Sequence, residues 1–196
     1  MTAPILILAS QSPRRRQLLK QLGVKFSVSA QDIDESCKRD EAPTDLAVRL
    51  AEEKAEICFK KSVDSNVVIL ASDTIVVLKG DIFGKPKDRK DAIKMLLRLS
   101  ANTHRVLTAV SVKCHTKSKT IWSETFVSFR TISSTEAGYY CDTGEPLDKA
   151  GAYAIQGFGA VFIKSIEGSY SGVMGLPLFE TAELLREFGV HCWQEI

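Results

Sequence analysis

The sequence predicts an α/β fold in which a mixed, twisted sheet, parallel and antiparallel, is flanked by helices. Strand-like and helix-like segments interleave along most of the chain, which favours strands joined by covering helices. Near the middle, however, two long strand candidates are separated by only a short polar stretch, and such a pair can only be antiparallel. The 196 residues suffice for one well-filled core, so residues 1–196 are expected to form a single domain without linkers or repeats.

Ile5 to Ala9 is an apolar run suited to a buried strand, and it stops at Ser10-Gln11-Ser12. Ser12 is a good N-cap, Pro13 fits a first helical position, and Leu18, Leu19 and Leu22 form an apolar stripe that ends at Gly23. Lys25 to Ser29 reads as a short strand, followed by an acidic stretch with Asp32, Asp34 and Glu35. Pro43 and Thr44 open a helix to about Lys60, with Leu46, Leu50 and Ile57 on one side. Val67 to Leu78 carries the clearest strand signal, interrupted by Ser72-Asp73-Thr74. Lys79-Gly80-Asp81 predicts a turn, and Asp88 caps a helix whose Ile93, Leu96 and Leu97 face inward. His104 to Cys114 and Thr120 to Ile132 form the hairpin, and Ser134 caps a further short helix. Gly144 to Gly159 is rich in glycine and without regular period, Val161 to Ile166 reads as a strand, and Pro177 to Phe188 as an amphipathic helix.

A net charge of +2 is too mild for broad polyanion binding, although a local basic cluster can still serve a phosphate. The five cysteines are scattered and never approach CxxC spacing, which points to a reducing compartment. The first ten residues lack a secretory pattern and no apolar run reaches the length of a membrane span, so a cytoplasmic location is expected. His104, His115 and His191 show no ligand spacing.

Three segments carry candidate chemistry. Ser10 to Arg16 sits where a buried strand meets a helix start, with hydroxyls, backbone N–H groups and three arginines. Cations at a helix N-terminus oppose its dipole, which favours a bound anion over a merely solvated basic first turn. The segment lacks the glycines and lysine of a Walker A loop. Asp73, with Thr74, lies inside an apolar strand, where a carboxylate is costly unless it meets a metal, a partner or a cleft. It could activate a water and hold Mg²⁺; the bland alternative is an Asp bonded to nearby backbone. In Gly144 to Gly157, glycines alternate with charged groups, and the Gln156 amide suits the edge of a nucleobase, the alternative being a turn-rich surface loop. Lys54, Lys85 and Lys149 carry no signal of their own beyond the stiff setting of Lys85 between Gly84 and Pro86.

Taken together, Ala9 to Arg15, Glu53-Lys54-Ala55, Ser72-Asp73-Thr74, Gly84-Lys85-Pro86, Gly144 to Gly157 and Gly175-Leu176-Pro177 resemble the Maf nucleotide pyrophosphatases, specifically the branch acting on dTTP and UTP. The resemblance implies a nucleoside triphosphate substrate cut to monophosphate and pyrophosphate, a divalent metal (Mg²⁺ or Mn²⁺), two lobes with a central cleft, and homodimers. It implies Asp73 as catalytic base and, with Glu35, as metal ligand. Arg14, Thr74 and Gln156 would set substrate preference, and Ser10, Ser12, Arg15, Lys54, Lys85 and Lys149 would line the site. Two positions depart from the family pattern, Ser72 where a small apolar residue is usual and Ala154 where glycine is common. Rival readings are the same reaction on 7-methyl-GTP or a modified pyrimidine nucleotide, and a non-enzymatic regulator that binds nucleic acid or a division partner through Arg14 to Arg16. Interspersed acidic and basic residues speak against stable nucleic-acid binding.

Overall fold

The pleat of Ile5–Leu8 (β1), apolar throughout, places Leu6 and Leu8 in the interior, and the strand anchors a mixed sheet in a computed structural model that describes residues 4–193. The remaining strands are Ser27–Val28 (β2), Val67–Leu78 (β3), Asp81–Phe83 (β4), Thr103–Lys113 (β5), Ser118–Phe129 (β6) and Ile163–Glu167 (β7). The sheet order is β2-β1-β3-β5-β6-β7, with β4 paired to β3. β1 runs parallel to β2 and to β3, in register Ile5↔Val67 through Leu8↔Leu70. The β3–β4 and β6–β7 pairs are antiparallel. The helices are Pro13–Gln21 (α1), Pro43–Lys61 (α2), Arg89–Leu99 (α3), Ser134–Asp142 (α4), Tyr170–Met174 (α5) and Leu178–Glu187 (α6). None is long and apolar enough to cross a membrane among the described residues.

The chain divides into two compact units, each assembled from separate stretches. The first holds the chain up to Asp73, Thr108–Ser123 and the stretch from Gly175 onward. Here α1 starts as its sequence dictates, with Ser12 Oγ accepting from the Arg15 N–H and Gly23 leaving the helix at φ 60°. α2 lays Ala55 and Cys58 on Val67, Ile69 and Ala71 of β3, a contact of small and β-branched side chains that brings the helix close to the strand. The expected Ile57 is only half-buried; the interior row of α2 is Leu46, Leu50, Lys54 and Cys58, spaced four residues apart.

The second unit holds Thr74–Leu107 and Glu124–Met174. Its core gathers Ala92, Leu96 and Leu99 of α3, Tyr140 of α4, and Phe129, Tyr153 and Phe162. Leu97 is 39% exposed, so α3 turns the row Ala92, Leu96, Leu99 inward rather than the one that includes Leu97. The cap of α4 is Ser133, not Ser134: its Oγ accepts from the Glu136 N–H while the Glu136 carboxylate accepts from the Ser133 N–H. The glycine-rich stretch folds into three 3-10 turns, Glu145–Asp148, Ala150–Ala152 and Phe158–Phe162. β4 and α5, absent from the sequence reading, are three and five residues long, too short for a periodic signal. None of the five cysteines forms a disulfide.

His104 is fully buried, with Nε2 2.8 Å from the Tyr153 hydroxyl and its ring edge-on to Phe129 and Tyr153. Burial holds this imidazole down to about 4, so it is neutral in the fold while the unfolded chain takes up its proton near the ordinary 6.5. Stability supplied by the neutral imidazole is therefore present above 6.5 and lost as pH falls toward 4, about 3 kcal/mol in all. Glu41 and Glu136, held at about 2 by Arg49 and Arg130, lose their contributions only below their ordinary value of 4.5. Urea titrations between pH 6.5 and 4.5 should thus show falling stability in the wild type and a flatter profile in His104→Gln.

Candidate active site

Lys54 projects from the interior row of α2, 7% exposed, and its Nζ lies 2.6 Å from Glu35 Oε1 and 2.6 Å from Asp73 Oδ1. Asp73 stands within β3 at 6% exposure, whereas Glu35 reaches in from the acidic loop and is half-exposed. The buried ammonium is compensated by two carboxylates, and removing it would leave the Asp73 carboxylate uncompensated in a low-dielectric setting. Arg49, one turn and a half before Lys54 on α2, holds the acidic loop in place. It bonds Glu41 at 2.6 Å, the Ser36 carbonyl at 3.0 Å and Glu53 at 3.2 Å. This Arg49 contact, with the Lys38 N–H, pulls the Glu41 carboxyl down to about 2.

The strand–helix junction joins the same unit. The Ser12 N–H donates to Ser10 Oγ at 3.1 Å, closing the tight loop before α1. Arg15 Nε donates to the Gly175 carbonyl at 2.8 Å, and Ser72 Oγ donates to that same carbonyl at 2.9 Å. Gly175 sits at φ 115°, a backbone state in which side-chain-bearing residues are strained. The Ser72 hydroxyl therefore has a buried partner. Burial lowers the Arg15 pKa, the Asp73 and Glu35 carboxylates raise it and Arg14 lowers it, so all four charges share one electrostatic neighbourhood. Ser10 is buried, and Ser12 and Arg14 are partly exposed at this junction.

Thr74 follows Asp73 on β3, is half-buried and opens the second unit. Lys85, Lys149 and Gln156 belong to that unit too, where backbone bonds link their loops. The Gly151 N–H donates to the Gly84 carbonyl at 3.1 Å, next to Lys85. Lys149 Nζ bonds the Glu145 carbonyl at 3.2 Å and pairs with Asp148. Gln156 and Lys85 are exposed.

Lys54 gave no signal as a single residue, but its spacing of four and eight from Leu50 and Leu46 marks a cation on an apolar row, and that was the legible clue. Arg49 was legible only as an i,i+4 partner of Glu53. A cavity of about 540 Å³ in the first unit is lined by Asp34, Glu52, Glu53 and Glu56 with Lys113, and by none of the candidate residues. Four carboxylates make it a poor seat for a phosphate. Among the described residues no group of three His, Cys, Asp or Glu side chains is placed to hold a metal ion. Glu35 and Asp73 are two carboxylates on one ammonium, an all-oxygen pair of the kind that hard divalent cations take.

An α/β protein with a mixed sheet and a buried lysine–aspartate pair, joined by a half-exposed glutamate, beside a basic strand–helix junction is the class these features define. A profile of the Maf-like protein family matches residues 5–188, and the chain belongs to that family. It is 48% identical over 191 residues to a dTTP/UTP pyrophosphatase of Hahella chejuensis, covering 97% of this chain and 95% of that one. It is 49% identical over 193 residues to a dTTP/UTP pyrophosphatase of Saccharophagus degradans, with 97% and 92% covered. Identity to a dTTP/UTP pyrophosphatase of Cupriavidus metallidurans is 49% over 196 residues, with 95% and 98% covered. Among solved structures, the Staphylococcus aureus Ham1 protein aligns with TM-score 0.47 and 15% identity over 63% of this chain and 71% of that one.

Breaking the buried pair from its cationic side should be expensive. Lys54→Met is expected to lower unfolding free energy by about 3 kcal/mol. Adding Asp73→Asn should return part of that loss, because the stranded carboxylate is gone. Urea denaturation of the two single variants and the double variant measures both effects; additive losses would contradict the coupling.

Proposed function

We propose that this chain hydrolyses dTTP and UTP to the nucleoside monophosphate and pyrophosphate, in the cytoplasm. The observation that carries the reading is Asp73, buried in β3, held 2.6 Å from Lys54 and sharing its surroundings with Arg15, in a chain whose relatives carry that activity in their names. Asp73 takes a proton from a water whose oxygen bonds to the α-phosphorus. The bond from that phosphorus to the β-phosphate oxygen then breaks, and pyrophosphate leaves with the electron pair. Lys54 orients the Asp73 carboxylate and offsets its charge. Arg14 and Arg15, with the Ser10 and Ser12 hydroxyls, cradle phosphate oxygens at the positive end of α1, where the helix dipole and charge-assisted bonds favour an anion.

A divalent cation held by Glu35 and Asp73 together with substrate phosphates would supply Lewis-acid charge neutralisation, Mg²⁺ being favoured by the all-oxygen donor set. Lys85 and Lys149 are assigned to the triphosphate, and Thr74 and Gln156 to substrate choice. Gln156, exposed on its loop and able to donate and accept at once, is suited to read a pyrimidine edge. The protein is expected to work as a homodimer on free nucleotides.

Pyrophosphate release from a panel of nucleoside triphosphates, with Mg²⁺ or Mn²⁺, tests the assignment. Wild type should act on dTTP and UTP, and Asp73→Asn should lose about 10³-fold in turnover without unfolding. Near-normal turnover by that variant would remove Asp73 from the chemistry. Release confined to 7-methyl-GTP, or from no nucleotide, would overturn the substrate. In a second panel, Gln156→Leu should change the ranking of bases by about 10-fold or more while moving the best turnover less, because a polar reading site discriminates by leaving groups unpaired. Equal losses on every nucleotide would contradict a reading role.

A further inference from the structure

We infer that Glu145 is the positioning residue that fixes the base-reading loop, an inference that rests on the role proposed for Gln156. Its carboxylate accepts three hydrogen bonds: from the Tyr140 hydroxyl at 2.7 Å, from the Phe158 N–H at 3.0 Å and from the Gly159 N–H at 3.0 Å. The Tyr140 hydroxyl in turn accepts from the Ala154 N–H at 3.1 Å. The backbone is thus tied to one carboxylate on both sides of Gln156, two residues before it through Tyr140 and two and three residues after it directly. The same residue's main-chain carbonyl receives Lys149 Nζ at 3.2 Å, so Glu145 holds both assigned substrate contacts of this segment.

The glycines report the same constraint. Gly157 has φ −118°, which any residue can adopt, so glycine is not required there for its backbone freedom. A Cβ on it would overlap the Glu145 carboxylate, and glycine is needed for space alone. A Cβ on Gly159 would lie 2.7 Å from the Tyr140 hydroxyl and 3.0 Å from the Ala154 carbonyl. Ala154 contributes its N–H to the Tyr140 hydroxyl and its carbonyl to the Gly157 N–H, backbone groups that any residue there supplies. Tyr140 serves as a donor to Glu145 throughout the physiological range, since burial and then the Glu145 bond push its hydroxyl up. A carboxylate, all acceptor, matches three converging donors; an amide would turn an N–H₂ group against one of them.

Glu145→Gln and Gly157→Ala attack this restraint from its two sides, and neither side chain is assigned to the substrate. For each, kcat and KM on dTTP, UTP, dCTP and dATP are measured beside the thermal midpoint, at a temperature where every variant is folded. The expected result is a preference for dTTP and UTP over dCTP and dATP reduced by about 10-fold, carried mainly by KM, because an ångström of misplacement degrades a positioned contact. Glu145→Asp, which keeps the charge with a shorter reach, should recover part of the preference. A lowered midpoint with unchanged base preference in both variants would overturn the inference and leave Glu145 a purely structural residue. Amide hydrogen exchange at Phe158 and Gly159 separates this outcome from failure of the functional reading. Faster exchange in Glu145→Gln is required by the restraint even if the wild type cleaves no nucleotide, and unchanged exchange would sink it.

Discussion

The ammonium of Lys54 sets the terms for the first unit. A lysine buried at that depth is tolerated only when paired, and the pairing draws together a helix, an irregular loop and a strand that share no local sequence. α2 must approach β3 closely enough for Nζ to meet Asp73, and the small residues Ala55 and Ala71 permit that approach. The acidic loop must fold back over the helix for Glu35 to meet the same atom, and Arg49 secures it through Glu41 and the Ser36 carbonyl. Such a cluster contributes little net stability, because desolvation offsets most of the attraction. Its effect is on geometry, since any arrangement that separates the three groups leaves a buried charge exposed to the full desolvation cost.

The second unit solves a different problem with the same chemistry. A stretch of short 3-10 turns cannot satisfy its backbone groups through a regular ladder, and buried or half-buried N–H groups need acceptors from elsewhere. Glu145 and Tyr140 supply them, while Phe162 packs on the Tyr140 ring at 5.2 Å between centroids. Beneath the loop, Tyr153 meets His104 and Phe129 edge-on, so the aromatic core and the loop share residues one or two positions apart. Rigidity where Gln156 projects follows from its neighbours Ile155 and Ala154 being buried while it is exposed.

The two departures that the resemblance implies, at Ser72 and Ala154, fit this picture without altering it. Ser72 gains a hydrogen bond to the Gly175 carbonyl, the atom that also anchors Arg15, and so adds a tie between β3 and the start of the last segment. Ala154 keeps the backbone group that its network uses. Ser72 directly precedes Asp73 of the Lys54 cluster along β3, whereas Ala154 belongs to the second unit.

Read alone, the sequence determined what depends on neighbours along the chain. The starts of α1 and α3 were legible because an N-cap and its recipient lie three residues apart, and β3 because β-branched residues run on either side of Asp73. It also flagged Asp73 as a residue needing a partner, and the ordered motifs identified its family. What it could not decide was which row of α3 faces inward, which serine caps α4, and which cation meets Asp73. The first two choices are separated by one residue of register, a difference that only packing resolves. The third joins positions nineteen residues apart on different elements, and Glu145 reaches donors thirteen and fourteen residues away. Contacts of that reach exist only once the backbone has closed, because the partner of a buried charge is chosen by proximity in space and by the cost of leaving it unpaired.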